Sequence, residues 1–267
     1  MKQWIKSTLL WIFAFILTLS AAVYQRITGP SYPLRGEVII GDSIVKYKLL
    51  RTWDGTEGAT MTIETGDGSF QAEYMYKRFK SFDDWTKSPA ETENGLVRIR
   101  LPHLEPAGKM MYQITLIKDD QRYDLSEEPV ILRYKGKVPD QILIPHIIII
   151  FLAMLFSTRT GLEALFRGPM IRTYTWLTFV FLLIGGMILG PMVQKYAFGV
   201  YWSGWPFGHD LTDNKSLVAF ILWIIALIMV IRKKDNRTWP IIAAIMMLTI
   251  FLIPHSVLGS EIDYTKH

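Results

Sequence analysis

The chain shows two hydropathy patterns. Continuous apolar runs occupy Trp4–Val23, Ile142–Ser157, Thr175–Met192, Ser216–Ile231 and Trp239–Pro254. With their flanks, these approach the roughly 17–25 residues that a bilayer-crossing helix needs. Between the first and second runs the pattern changes. Over residues 32–137, apolar and polar positions alternate in short blocks bounded by turn residues, as half-buried strands do. Strands are predicted at Glu37–Ile40 and Ser43–Leu50, around Gly41-Asp42, and at Ala59–Glu64, ending in Thr65-Gly66-Asp67-Gly68. Others follow at Ser69–Phe79, Leu96–Leu101, Lys109–Lys118, Gln121–Leu125 and Val130–Lys135. Phe70, Tyr74 and Tyr76 stand at even positions and should share one face. About seven strands at about ten-residue spacing predict a β-sandwich.

The expected fold is therefore a membrane α-helical bundle of five transmembrane helices plus an all-β sandwich domain. An N-terminal anchor covers 1–24, an extracytoplasmic sandwich 32–137, a four-helix transmembrane module 140–256 and an extracytoplasmic tail 257–267. Lys2 and Lys6 before an apolar core, followed by Ser20-Ala21-Ala22, also read as a signal peptide with a small-residue cleavage site. The length of the run favours an uncleaved anchor.

Charge gives the bundle a direction. The chain has 267 residues and a formal net charge of +5. Lys2 and Lys6 precede the first run, and Arg159, Arg167 and Arg172 fall between the second and third. Arg232, Lys233, Lys234 and Arg237 fall between the fourth and fifth. Only Glu163 and Asp235 oppose them. Basic residues favour cytoplasmic loops, so the N-terminus is expected inside and the sandwich and C-terminus outside. This topology explains the positive charge without nucleic acid. There is no cysteine, which excludes disulfides, thiolate metal sites and cysteine nucleophiles. The β-rich stretch must be held by its own core.

Leu104-Glu105-Pro106-Ala107-Gly108, leading to Tyr112, resembles the corner before strand F of fibronectin type III and other immunoglobulin-like domains. The resemblance implies that the Tyr112 hydroxyl bonds back to the chain, although the spacing is longer than usual. Leu49-Leu50-Arg51-Thr52-Trp53-Asp54-Gly55 and Pro106-Ala107-Gly108-Lys109, with the polar loop and histidine segments below, resemble an uncharacterised group of bacterial multipass membrane proteins. That resemblance implies a bacterial inner membrane and a periplasmic domain. It brings no activity.

Candidate chemistry is concentrated after residue 140. His146, His209 and His255, with Asp210, would fall near one depth on the outer side, and these side chains suit zinc, iron, copper or haem. The competing reading is three unrelated interfacial histidines. The loop Tyr201–Lys215 combines aromatic residues with Asp210, Asp213, Asn214 and Lys215. An aromatic belt plus a helix cap from Thr212 or Asp213 explains much of it, and a small polar site is the alternative. Gly186 and Gly190 form a small-residue face for helix packing. In the β-rich stretch, Lys77, Arg78, Phe79, Lys80 and Phe82 read as a solvated strand end more readily than as a nucleic-acid or glycan patch. His103 is read as a loop residue and Trp85 as a cap on the sandwich.

The spans carry few ionisable residues, which argues against a pump or proton relay. No GxSxG, HExxH or P-loop spacing occurs. The leading expectation is a non-enzymatic inner-membrane protein. Its outer sandwich and Trp202–Lys215 loop would meet an envelope partner, with the lipid bilayer around its helices. A metal- or haem-binding redox accessory is the alternative, and a membrane hydrolase follows.

Overall fold

The computed structural model describes residues 3–66, 68–233, 235–254, 259 and 261–266. Lys2, Asp67, Lys234 and His255 lie outside the described residues. The chain forms two compact units. One comprises Met1–Pro30 and Val138–Gly259, the other Ser31–Lys137 and Ser260–His267.

The first unit is helical. Its elements are α1 (Gln3–Thr28), α2 (Asp140–Leu165), α3 (Ile171–Leu182), a π-helical segment (Leu183–Leu189), α4 (Gly190–Phe198), α5 (Leu211–Arg232) and α6 (Thr238–Leu252). The segments from α3 to α4 run on as one 28-residue helix. This helix, α1, α2 and α5 are long and apolar enough to cross a membrane. The last run differs from expectation, because α6 has only 15 residues.

Small side chains occupy the interior of this unit. Ala153, Ala219, Ala226 and Ala243 are buried around Trp223, whereas Phe13, Ile16, Ile148, Ile221 and Ile245 are exposed. Lipid gives no hydrophobic reason to bury the large side chains, and small ones let helices approach. α1 joins this packing through Ala14, Thr18 and Ala21. The π-helical segment ends just before Pro191, which has no N–H and crowds the preceding turn. The widened turns accommodate it.

The second unit is β-rich. Its strands are β1 (Leu34–Ile40), β2 (Ser43–Leu49), β3 (Thr52–Trp53), β4 (Thr60–Glu64), β5 (Gln71–Arg78), β6 (Thr86–Pro89), β7 (Glu91–Glu93), β8 (Leu96–Arg100), β9 (Lys109–Lys118), β10 (Gln121–Asp124) and β11 (Val130–Tyr134). β1 and β2 form a hairpin. A six-stranded sheet has the order β3-β11-β9-β5-β6, with β10 also on β9, and a three-stranded sheet has the order β4-β8-β7. Met61, Ile63, Val97 and Ile99 of the smaller sheet share one core with Tyr112, Ile114, Leu116 and Leu132 of the larger. Phe70 is buried in that core, and Tyr74 and Tyr76 pack on it from the same side, as their spacing predicts.

Three strands lie outside the predicted set. β3 is very short, and β6 and β7 are edge strands made of Thr-Lys-Ser-Pro and Glu-Thr-Glu. An edge strand is solvated and tolerates proline, so neither carries an apolar alternation. The Tyr112 hydroxyl bonds back to the chain as expected, although to a distant residue. Tyr112 Oη donates to Leu50 O at 2.8 Å, while the residue beside the corner is reached by Tyr134 Oη, which donates to Pro102 O at 2.7 Å.

Candidate functional site

The Tyr201–Lys215 loop joins α4 to α5, and its polar side chains converge as the sequence suggests. α4 ends at Gly199, whose left-handed φ of 83° closes the helix. α5 begins at Leu211, capped by Asp210 rather than by Thr212 or Asp213. Asp210 Oδ1 accepts from Thr212 N at 2.8 Å and from Asp213 N at 3.4 Å. The cap must precede the first helical residue to reach those free amides, and the helix starts one turn earlier than its apolar run.

Asp213 is the centre of the loop. Its Oδ2 accepts from Ser203 N at 2.7 Å, Gly204 N at 3.0 Å, Gln194 Nε2 at 3.0 Å and Ser203 Oγ at 3.3 Å. The carboxylate thus holds a segment ten residues upstream and a side chain of α4. It also sits in the first turn of α5, where the helix dipole favours negative charge. Gly204 is required, because a Cβ there would lie 2.6 Å from Asp213 Cβ. Asn214 Oδ1 accepts from Trp205 N at 2.6 Å. The buried Lys215 ammonium donates to Ile253 O at 2.8 Å, tying α5 to the end of α6. Gln25 Nε2 of α1 donates to the same carbonyl at 3.1 Å and to Phe251 O at 2.6 Å. The four polar residues therefore each anchor backbone, and the cluster is a clamp on the loop and helix ends. Outside it, Tyr201, Trp205 and Phe207 are exposed.

The histidines are dispersed in their bonding. His146 Nδ1 donates to Gly185 O at 3.0 Å. That carbonyl belongs to the π-helical segment and also accepts from Gly190 N, so the imidazole is satisfied by irregular helix backbone. His209 is exposed in the loop, and the proposed third ligand, His255, is outside the described residues. Among the described residues no group of three His, Asp or Glu side chains is placed to hold a metal ion. The helix contact differs as well. A Cβ on Gly185 would lie 3.0 Å from Ile150 N, whereas one on Gly190 would make only ordinary contacts of 3.5 Å or more. Gly185 is thus the close-approach glycine, with Gly186 beside it and Gly190 facing His146.

Arg159 and Glu163, expected in a cytoplasmic link, are helical instead. They lie within α2, which extends past Ser157 to Leu165, and form an ion pair of 2.6 Å with both side chains almost fully buried. Glu163 Oε1 also accepts from Met170 N at 2.8 Å, and the Arg159 guanidinium lies over the rings of Trp11 and Tyr174 at 5.4 and 4.9 Å. The i,i+4 spacing of Arg and Glu is the signal that could have revealed the pair.

In the β unit, a cleft of about 180 Å³ is lined by Glu73, Lys87, Gln113, Thr115, Arg122 and Asp124, among others. Two of its acidic groups have partners within the cleft: Glu73 pairs with Arg122, and Asp124 accepts from Thr115 Oγ1 at 2.6 Å. The β1–β2 hairpin is different. Ile39 and Ile44 face each other across it and are 69% and 62% exposed. Arg35, Glu37, Lys46 and Lys48 continue that outer face.

No protein-family model matches the chain, and no curated protein matches it. Among solved structures, similarity extends to one titled "Crystal structure of Br derivative BhCBM56". It is 11% identical, with a TM-score of 0.25, and the match covers 34% of this chain and 91% of that one. A likeness of this size carries no functional argument.

Proposed function

We propose that the protein is a non-enzymatic membrane protein whose β unit presents a contact surface to an envelope protein. The observation that carries this reading is the exposed Ile39–Ile44 pair rimmed by charge. An apolar centre with a charged rim is how protein interfaces are built, and two large β-branched side chains this exposed have most of their apolar surface left to bury against a partner. The two sheets sharing one core support a β-sandwich for this unit, a fold suited to display.

The same proposal assigns the helices to a bacterial inner membrane, with α1 retained and α6 crossing as a fifth, short span. Local thinning of the bilayer accommodates a short helix at modest cost. Basic residues at alternate links support the N-terminus inside and the β unit outside. Exposed Tyr201, Trp205 and Phe207 then suit the headgroup zone.

Two experiments test this. The chain has no cysteine, so single replacements report topology cleanly. Asp42→Cys should react with an impermeant maleimide in intact cells, and Asp235→Cys only after lysis. The reverse pattern overturns the orientation. Ile39→Asp with Ile44→Asp should abolish cross-linking of the hairpin to an envelope protein while the protein remains folded in the membrane. Unchanged cross-linking overturns the interaction surface.

A further inference from the structure

The basic, aromatic strand end at Arg78–Lys80 is solvated and also carries a contact with another part of the chain. The C-terminal segment of the chain lies on it. Glu261 pairs with both Lys80 and Lys109. Both ammonium groups also sit over the ring of Phe79, at 5.9 and 5.4 Å, so one aromatic side chain positions the two cations that grip one carboxylate. Three residues further on, the ring of Tyr264 lies under the Arg78 guanidinium at 4.6 Å. That ring enters a recess over Gly108, where an added Cβ would stand 2.8 Å from Tyr264 Oη. The groove thus recognises a carboxylate and, three positions later, an aromatic ring.

The segment fits its groove incompletely. Among the described residues, its backbone is linked to the turn before β9 by a bond from Ile262 N to Ala107 O, at a long 3.3 Å. Among the described residues the Tyr264 hydroxyl oxygen, which is shielded from water, has no hydrogen-bond partner, which costs free energy that a phenylalanine would not. Lys80, which pairs with Glu261, and Ala107, which accepts from Ile262, both hold left-handed backbone at φ 50° and 73°. Non-glycine residues in that region carry strain, and such strain gathers at ligand clamps. Lys80 is 46% exposed, so water and salt weaken its share of the pairing, whereas Lys109 is only 14% exposed. The covalent tether adds to these contacts an effective concentration on the order of millimolar.

We infer that this groove is a recognition site for an acidic peptide segment of a partner protein, with a carboxylate followed three residues later by an aromatic side chain, and that the chain's own C-terminal segment occupies it in the absence of that partner. The inference rests on the reading of the β unit as an interaction module, and it adds a second surface and its regulation. A partner segment displaces the tail by filling the same two positions and adding contacts along the strands. Displacement also frees the chain end from the β unit.

The test uses the full chain in detergent and a fluorescent peptide with the sequence of residues 259–267. A chain ending at Gly259 should bind the peptide at least about tenfold more tightly than the intact chain, because the tethered competitor is gone. The full-length variant Glu261→Gln with Tyr264→Ala should do the same, which covers the case of a truncation that folds poorly. Lys80→Gln with Lys109→Gln in the truncated chain should remove the binding. A peptide with phenylalanine at the tyrosine position should bind at least as well. If neither tail-released protein binds the peptide, or the intact chain binds it equally, the inference falls. Loss of cross-linking by the Ile39/Ile44 variant is a separate result, so the interaction reading can survive that failure.

Discussion

The phenol of Tyr112 donates to the carbonyl oxygen of Leu50, 62 positions earlier in the chain, at 2.8 Å. The bond joins the longest strand, β9, to the residue that follows β2. It lies in the shared core, since Tyr112 is fully buried. Tyr112→Phe keeps the ring and removes the donor. Leaving the Leu50 carbonyl without its partner should destabilise the β unit by about 1–2 kcal/mol. Thermal unfolding followed by tryptophan fluorescence measures this, and an unchanged midpoint would show that water replaces the phenol.

Burial raises the phenols of both Tyr112 and Tyr134 above their ordinary range. A raised acidity constant means that the folded state favours the neutral form. Their stabilising contribution is therefore complete below about pH 10, the ordinary tyrosine value, and is lost as pH rises beyond it. In an ultraviolet titration, Tyr112 and Tyr134 should be missing from the phenolates formed near pH 10 and should ionise only with unfolding. Tyr112→Phe should move the alkaline unfolding transition. Ordinary ionisation of both before unfolding would contradict their burial.

Asp83 provides the acid counterpart. Hydrogen bonds from Arg78, at 2.7 and 2.8 Å, hold its carboxyl down at about 2. The folded value lies below the unfolded one, so the contribution is present above about pH 4 and is lost as pH falls towards 2. The pair is partly exposed, with side chains 44% and 32% accessible, so solvent screening keeps its share of stability small. Arg78→Met should return the Asp83 carboxyl resonance to a midpoint near 4 in an NMR titration. A midpoint that stays near 2 would assign the shift to backbone donors instead.

The elements legible in the sequence were those with a strong period. The apolar runs and the alternating strands from Glu37 to Tyr134 announce themselves, because one solvent or one core face selects their side chains. β6 and β7 do not, because solvated edge strands impose no alternation. Arg159 and Glu163 fall beyond the apolar run ending at Ser157, so hydropathy places them outside the helix. Their mutual pairing, which lets them enter the helix interior, is a tertiary fact. The polar cluster at Asp210–Lys215 was visible as composition, but its use was not. Its acceptors and donors are spent on the backbone of Ser203, Gly204, Trp205 and Ile253, which no spacing rule links to it.

That use of Asp213 leads to a prediction. Asp213→Ala leaves the Ser203 and Gly204 amides without their acceptor. Each buried amide left unpaired costs about 1–3 kcal/mol, so the loop should open locally before the bundle melts. Limited proteolysis within 199–210 should accelerate at least about tenfold, while the helical signal is retained. Asp213→Asn keeps an acceptor oxygen and should fall between the two. An alanine variant as resistant as the parent would show that the loop is held by its aromatic residues.

The Arg159–Glu163 pair gives the most discriminating case. Removing one member of a buried pair strands the other charge, at about 3–5 kcal/mol, whereas replacing both with apolar side chains is often neutral or better. Glu163→Leu should therefore destabilise the protein strongly in denaturant titration in detergent, since it strands Arg159 between Trp11 and Tyr174 and also releases the Met170 amide. Arg159→Met strands the carboxylate instead. The double variant should regain most of the loss and lie within about 2 kcal/mol of the parent, the remainder reflecting the Met170 amide. Such a cycle gives a coupling far from zero, as contacting charges require. Additive losses would mean that each residue is held by its own neighbours, Arg159 by the two rings and Glu163 by the α2–α3 turn, and that the short ion-pair distance contributes no coupling.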